Sequence, residues 1–504
     1  MMTHSPLPSN LENLNDFTRQ LFDLVHDAAR DGRPLHNLEL QIWKVLLQLG
    51  RNAIAQFLGL IGNGDLGPTV QTEDGKTHTR LPETHPRRYV SIFGAFRIDR
   101  VVYGSREGQQ IDFVPVDTRL QLPQSDFSYL LQDWDQSLAV EQSYAQVRDT
   151  IARILDLNQS VDSLERMTAG MAEATEPFRD GQPPPPPAEE GEVLVASADG
   201  KGIVLRRPAD APPAKAHRTK GDKASLKRMA IVGAVYTVDR YIRTPQQVVE
   251  ALFADRLGEP PPKRPQACHK RVWAGLSLGS GPEGRPTTGT ERVYTWLQSE
   301  VIERNRDFSK EMVYLHDGQV SLWDACNTYL PGKNATEILD LLHVTPRLWQ
   351  AAHVFELEGG PKVERFVREA LLKVLRGRVE GVLRSWQGLA RRSKLSASKK
   401  RTLKGVISYL RKNRERMRYD EYLSKGYPIA SGVIEGACRH LVKDRMERAG
   451  MHWREPGAQA LLDVRSVALN GQWEAFQTYR VERANRRLYP HRNLVEGANF
   501  PIAA

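Results

Sequence analysis

Apolar side chains recur at three- and four-residue intervals through residues 10–60, as in Phe17, Leu21, Leu24 and Val25, then Leu38, Ile42, Val45, Leu46 and Leu49. That spacing gathers them on one side of a helix, so two or more helices are predicted to open the chain. The period drops to two across residues 88–103, where β-branched and aromatic residues alternate with polar ones around Gly94, and a small β-hairpin is predicted. Helical patterning returns over 125–174. Within it, residues 144–155, a polar turn at 156–160 and residues 161–171 have the outline of a helix-turn-helix, whose second helix would enter a major groove. No glycine marks the turn, and plain packing of two helices explains the pattern equally well.

Prolines from Pro183 to Pro187 exclude helix and central strand, so residues 179–192 read as a stiff linker. Beyond them, runs rich in Val, Ile and Ala at 192–197, 202–206 and 229–238 read as strands, with a Lys/Arg-rich excursion at 208–227 between the second and third. Helical spacing at 246–257 and 290–303 flanks a Pro/Gly-rich loop at 260–288. Short strands are expected at 311–315 and 335–342. From 345 to 425 the pattern is almost wholly helical and rich in Arg and Lys, which suggests a helical subdomain inserted into an α/β domain.

A chain of 504 residues exceeds one ordinary core, so two to four domains are expected. Lys and Arg number 71 against 61 Asp and Glu, an excess that suits a polyanionic partner and equally serves solubility. Cys268, Cys326 and Cys438 are far apart and show no CxxC spacing, which argues against a disulfide framework or a thiolate zinc site and fits a reducing cytoplasm. The N-terminus has no basic start followed by an apolar run, and no long uncharged apolar stretch occurs, so a soluble intracellular protein without a membrane partner is expected.

Three carboxylates carry the candidate chemistry. Asp199 follows the apolar run at 193–197 and precedes Gly200 and Gly202, which would place it at a strand end. Asp317 follows the run at 312–315 and again precedes a glycine. Glu435 lies behind Ser431, a suitable N-cap for a helix carrying the glutamate in its first turns. Each Asp-Gly is by itself an ordinary turn former. Converged, two strand aspartates and one helix glutamate supply the hard oxygen donors that hold Mg²⁺ for phosphodiester chemistry. Arg439, His440, Lys443 and Arg445 follow; residues 435, 439 and 443 share a helix face by the i, i+4 rule, either as surface ion pairs or as phosphate contacts.

The segments 197–202 (SADGKG) and 313–318 (VYLHDG) resemble the first and second aspartate motifs of bacterial insertion-sequence transposases of the ISKra type, relatives of the Mutator-like group. Residues 338–344 (ILDLLHV) are similar to the D/C-x-x-H signature that follows the second aspartate, with Asp340 and His343 in its two positions; a buried strand histidine held by one hydrogen bond is the alternative there. Residues 428–448 with Met451, His452 and Trp453 resemble the glutamate block over its whole length, and the third acid is carried onto Glu435 on that basis.

The resemblance implies a multidomain α/β protein with an RNase H-like mixed-sheet catalytic domain and a large all-helical insertion, preceded by a mainly α-helical N-terminal region with a small β-hairpin. The corresponding division is a helical region at 1–85, a hairpin and helix-turn-helix-like DNA-binding region at 86–178, a linker at 179–192, the catalytic domain at 193–344 and 426–475, the insertion at 345–425 and a C-terminal tail at 476–504. It implies a DDE transposase in which Asp199, Asp317 and Glu435 bind two Mg²⁺ or Mn²⁺ ions, Asp340 and His343 assist, and Lys201, Arg439, His440, Lys443, Arg445 and Trp453 contact DNA. Its partners would be double-stranded transposon ends and target DNA, bound as a homo-oligomer in the bacterial cytoplasm at the nucleoid. Target DNA would lie along the basic helices around Lys399 to Arg418. Relatives often carry a cysteine-based zinc module near the N-terminal strands, whereas here no cysteine precedes Cys268. A non-catalytic DNA-binding regulator and another RNase H-like nuclease are the competing expectations.

Overall fold

The computed structural model describes residues 14–72, 75–104, 110–206, 226–253, 264–278, 286–356, 361–448, 450–498 and 500. Most of the basic excursion expected at 208–227, and part of the loop expected at 260–288, lie outside the described residues. The chain divides into two compact units, one of residues up to Ala174 together with those from Trp473 onward, the other spanning Thr175–Gln472. Among the described residues no helix is long and apolar enough to cross a membrane.

The first unit opens with helices α1 (Leu14–Arg30) and α2 (Leu35–Ile61). A four-stranded antiparallel sheet follows, ordered β1 (Thr69–Gln71), β2 (Thr77–Arg80), β5 (Tyr103–Gly104), β6 (Ile111–Phe113). The predicted hairpin is β3 (Arg87–Ser91) and β4 (Gly94–Ile98), with Gly94 at φ +128°, a backbone conformation that glycine adopts without a Cβ penalty. The alternation through residue 103 had merged this hairpin with β5, which belongs to the other sheet. Helices α3 (Pro115–Leu120), α4 (Tyr129–Ala139), α5 (Tyr144–Leu155) and α6 (Val161–Ala172) complete the run. Ser143 and Gln146 form a capping box at the start of α5, and Ser160 caps α6. Asp156, at φ +55°, turns the chain between them where glycine was missing.

In the second unit, α7 (Thr175–Asp180) precedes the proline run expected as a stiff linker, in which Pro183, Pro186 and Pro187 are exposed and Pro183 O accepts from Arg271 at 2.6 Å. Glu190 at its end is buried, with Arg304 Nε donating to it at 2.6 Å and Lys310 alongside. The central sheet contains β7 (Val193–Leu205), β8 (Leu226–Val238), β9 (Cys268–Leu276), β10 (Glu311–His316) and β11 (Ala335–Leu339), in the order β11-β10-β7-β8-β9. β7, β8 and β9 are an antiparallel meander, while β10 runs parallel to β7 and β11 parallel to β10.

Two expectations change here. The runs at 192–197 and 202–206 are one continuous strand, because β8 pairs with every residue of β7 from Val193 to Leu205 and its Met229 side chain covers Gly200. β9 falls inside the expected loop; its apolar run is short, and its open edge is completed by side chains. Asn470 accepts from Val272 N (2.8 Å) and donates to Val272 O (3.1 Å), and Gln459 does the same for Leu276 N (2.7 Å) and Ala274 O (3.1 Å).

Alternation along β7 and β10 sorts the two faces. Leu194, Ala196 and Ala198 with Met312 and Tyr314 pack on helices α9 (Gly289–Arg304) and α10 (Val320–Tyr329), whereas Val193, Val195, Val313 and Leu315 face the other way. That second face is covered by α8 (Pro245–Phe253), α11 (Leu341–Phe355), α12 (Pro361–Leu375), α13 (Val379–Arg392), α14 (Ala397–Lys412) and α15 (Tyr419–Ser424), all in one continuous hydrophobic cluster with the strands. The helices expected as an inserted subdomain at 345–425 therefore share the sheet's core, and the boundary at residue 344 falls inside α11. The chain then forms α16 (Gly432–Ala437), a π-helical turn (Cys438–Lys443), α17 (Asp444–Met446) and α18 (Glu455–Leu469). The expected tail at 476–504 is instead largely α19 (Trp473–Leu488) and a 3₁₀ turn at Arg492–Val495, with Phe476, Val495 and Phe500 buried in the first unit.

Asp463, in α18, is buried and accepts from Gln459 Nε2 at 2.6 Å. Burial pushes its carboxyl up to about 7, against the opposing field of Arg292 and the Gln459 hydrogen bond. Such a group costs nothing while protonated in both states and destabilises the fold as pH rises from the unfolded pKa through 7. Asp463→Asn should therefore raise the melting temperature at pH 8, by an amount equivalent to roughly 1–3 kcal/mol, and leave it unchanged near pH 4. A loss of stability at pH 8 in thermal melts would show instead that the ionised carboxylate is needed.

Candidate catalytic carboxylate site

The site begins where β10 leaves β7. The two strands pair from Glu311 with Val193 to Tyr314 with Ala196, and β10 then stays with β11 as far as His316 opposite Leu339. Past the split, side chains stand in for the ladder. Ser197 Oγ donates to Leu315 O, and Ala198 N donates to His316 Nδ1 at 3.0 Å. The same nitrogen lies 3.3 Å from Ala198 O, and burial pulls the His316 pKa down to about 4. Its ring is wedged edge-on against Trp323, with centroids 4.9 Å apart. Farther along the same edge of β7 the backbone pairs again, Trp453 N with Val204 O (3.0 Å) and Arg206 N with Trp453 O (2.7 Å).

Asp199 occupies the gap between these two pairings. It sits in mid-strand, opposite Val232 of β8, and not at a strand end as the glycines had suggested. By alternation it shares a face with Val193, Val195 and Ser197, and Asp317, one residue past β10, shares that face through Val313 and Leu315. Each aspartate spends one oxygen locally: Asp199 Oδ1 accepts from Gly200 N (2.7 Å) and Asp317 Oδ1 from Gln319 N (2.8 Å). Asp199 Oδ2 lies 3.6 Å from Cys438 Sγ. The Asp317 carboxyl is held above the usual carboxylate range by burial, with the charges of Asp199 and Asp340 adding to it.

Asp340 is fully buried and joins three elements. Its Oδ1 caps α11 by accepting from Leu342 N (2.8 Å) and also accepts from Ser431 N (3.3 Å), while Leu341 N donates to Ile429 O (2.9 Å). Ser431, itself buried, caps α16 through Ile434 N (3.2 Å). His343 thus stands in the first turn of a helix and not in a strand. Its Nδ1 is 3.5 Å from Asp340 Oδ2 and its Nε2 is 3.6 Å from Glu435 Oε1. Contact with Asp340 raises the His343 pKa to about 9 against the cost of burial, with Asp317 and Asp199 contributing. The structure therefore gathers Asp199, Asp317, Asp340, His343 and Glu435 on one side of the sheet.

The basic block behind Glu435 fares differently. The turn after α16 is π-helical, so the i, i+4 phase that placed 435, 439 and 443 on one face does not hold. The buried Arg465 of α18 stabilises that turn by donating to the carbonyls of Leu441 (3.0 Å) and His440. Arg445 is wholly buried with its guanidinium 5.1 Å from the Trp453 ring, and Trp453 donates to Met446 O at 3.1 Å; both residues build the fold and cannot meet DNA as placed. Arg439 and His440 are exposed and both lie against Asp444, at 3.7 and 2.9 Å. Lys443 is exposed and Lys201 half-buried.

Two neighbours were not singled out from the sequence. Tyr409 of α14 packs so tightly on Gly318 that a Cβ there would fall 2.3 Å from its ring, and burial, with the field of Asp317 adding to it, pushes its phenol up to about 12. His316 had the single hint of standing beside Asp317. Among the described residues no three His, Cys, Asp or Glu side chains are drawn close enough to hold one metal ion. The donor chemistry nevertheless fits a hard divalent cation, since unsatisfied negative charge accumulates around a half-buried Asp317 while Glu435, 45% exposed, rests against His343.

No protein family matches the chain, and no curated protein matches it. Among solved structures, the Drosophila P element transposase strand transfer complex matches with 8% identity over 72% of this chain and 84% of that chain, at a TM-score of 0.24. That likeness is too slight to bear on the fold or the chemistry.

Because Asp340 caps one helix and anchors the loop that starts another, Asp340→Ala should destabilise the second unit by about 2–4 kcal/mol, and Asp340→Asn, which keeps an accepting oxygen, by about half as much. Equal losses for the two variants in urea unfolding would show that neither backbone hydrogen bond to Oδ1 matters.

Proposed function

We propose that the chain is a DNA transposase of the three-carboxylate, metal-dependent kind, and that its sheet is RNase H-like. One observation carries the reading: Asp199 and Asp317 share one face where β10 parts from β7, near enough for the charge of Asp199 to add to burial in raising the Asp317 pKa, and Glu435 meets Asp340 through His343. The sheet order, an antiparallel meander with two further strands parallel to its first, supports it, as does the resemblance of the aspartate and glutamate motifs. Asp199, Asp317 and Glu435 are the residues that would hold Mg²⁺ or Mn²⁺, two ions in all. When bound, such ions would polarise the phosphodiester and make water or a 3′-hydroxyl nucleophilic at neutral pH.

The chain's own groups do the rest. His343 stands between Asp340 and Glu435, 3.5 Å from the one and 3.6 Å from the other, and keeps Glu435 on the aspartates' side of the sheet. Gln319 N and Gly200 N each fix one carboxylate oxygen, so the second oxygen of each aspartate keeps its direction. Burial of His316 and Trp323 behind Asp317 excludes water from the far side of the strand end. Lys201, Arg439, His440 and Lys443 remain candidates for phosphate contacts. Double-stranded transposon ends and target DNA are the partners this reading implies, with several copies assembling on them.

Incubation with Mg²⁺ and a linear duplex bearing the element's ends should yield nicks at those ends and then strand-transfer products. Asp199→Asn, Asp317→Asn and Glu435→Gln should each lower cleavage by roughly three orders of magnitude or more while duplex binding persists. Chelation of divalent ions should do the same to the unaltered protein. Undiminished nicking by Asp199→Asn would refute the assignment; cleavage of branched junctions in preference to ends would favour another nuclease, and binding without any cleavage a regulator.

A further inference from the structure

Lys and Arg occur ten times in residues 381–412, with no Asp or Glu among them. The whole chain has 71 such cations and 61 acids, so outside this stretch the two balance at 61 each. This stretch of the α13–α14 hairpin thus carries an excess of positive charge as large as that of the whole chain. Between these helices runs an open cleft of 680 Å³, lined by Arg391, Lys400, Lys404, Arg411 and Lys412 over the buried Leu403. Lys400, Lys404 and Arg411 recur at i, i+4 and i+11, which aligns them along one side of α14. Arg411 has Glu380 at 4.0 Å on the rim, whereas Arg391, Lys400, Lys404 and Lys412 have no carboxylate partner among the described residues. Holding four unneutralised cations around one cleft costs repulsion that a polyanion would relieve.

We propose that this cleft is a second DNA-binding site, distinct from the carboxylates, which takes the sugar-phosphate backbone of duplex DNA without regard to sequence. The proposal rests on the DNA reading above. From Lys400 to Arg411 the track is about 16 Å long, too long for a single phosphate and matched to about five phosphates of one strand. No aromatic side chain lines the cleft, so unstacked bases have nothing to stack on, which favours a duplex over a single strand. The same helix ties the track to the chemistry: Ser408 lines the cleft, and the next residue, Tyr409, packs on Gly318 beside Asp317.

The test is a salt titration of full-length protein binding to a short random-sequence duplex. Arg391→Gln, Lys400→Gln and Lys404→Gln combined should lower the slope of log K against log salt by about 3, at about 0.9 for each phosphate no longer neutralised, without moving the melting temperature. Lys400→Arg with Lys404→Arg should keep the original slope. A triple variant with an unchanged slope overturns the cleft while leaving the transposase reading intact. Should the triple variant fail to fold, Lys404→Gln alone should lower the slope by about 0.9, and an unaltered slope in it overturns the proposal equally. Failure of the unaltered protein to bind any duplex DNA overturns the transposase reading and this site with it. Competition by duplex RNA as effective as by duplex DNA overturns the choice of DNA.

Discussion

The parting of β10 from β7 after Tyr314 is the constraint on which the rest of the second unit depends. A parallel pair that stayed together would satisfy every backbone group and leave no room between the strands. By separating, the strands create unpaired N–H and C=O groups in the middle of a buried sheet, a situation that costs several kcal/mol unless each group finds a partner. Ser197 and His316 supply those partners from side chains immediately beside Asp199 and Asp317. The opening and its repair are therefore built from the same short segments that carry the acids.

That arrangement explains why the acids sit in an environment they would not choose. Asp317 is half-buried, with Asp199 and Asp340 adding negative charge, and the same carboxylates raise the pKa of the His343 beside them. Asp340 is the joint that makes the gathering possible. It holds the starts of α11 and of the Ser431 loop at one point, so a strand residue, a helix residue and a glutamate 95 residues further along are fixed by a single buried carboxylate. Beyond Glu435 the helix widens to π form, and Arg465 takes up two carbonyls of that turn from α18.

Much of this was legible. The apolar run that precedes Asp317 and the Ser431 cap both follow from local rules, because a short apolar run closed by a glycine and N-cap preference need no tertiary information. The remainder depended on tertiary context. Gly200 and Gly202 read as a turn because glycine usually breaks a strand; here Met229 of β8 fills the space beside them and the strand runs through. Asp340 and His343 read as strand residues because a preceding apolar run ends at Leu339, and the capping role of Asp340 shows only once Ser431 is beside it. Arg445 read as a surface cation, but the π turn rotates it into the core against Trp453. β9 was hidden because the side chains completing its edge come from Gln459 and Asn470, almost two hundred residues away.

The central claim is that Asp199, Asp317 and Glu435 form one divalent-cation site. Crystals of the full chain equilibrated with Mn²⁺ would show it directly through anomalous scattering. A peak is expected within coordination distance of the Asp199 and Asp317 carboxylates, with Glu435 turned from His343 to join them, and it should vanish in Asp199→Asn. Manganese bound only elsewhere, or an unchanged peak in that variant, would contradict the claim.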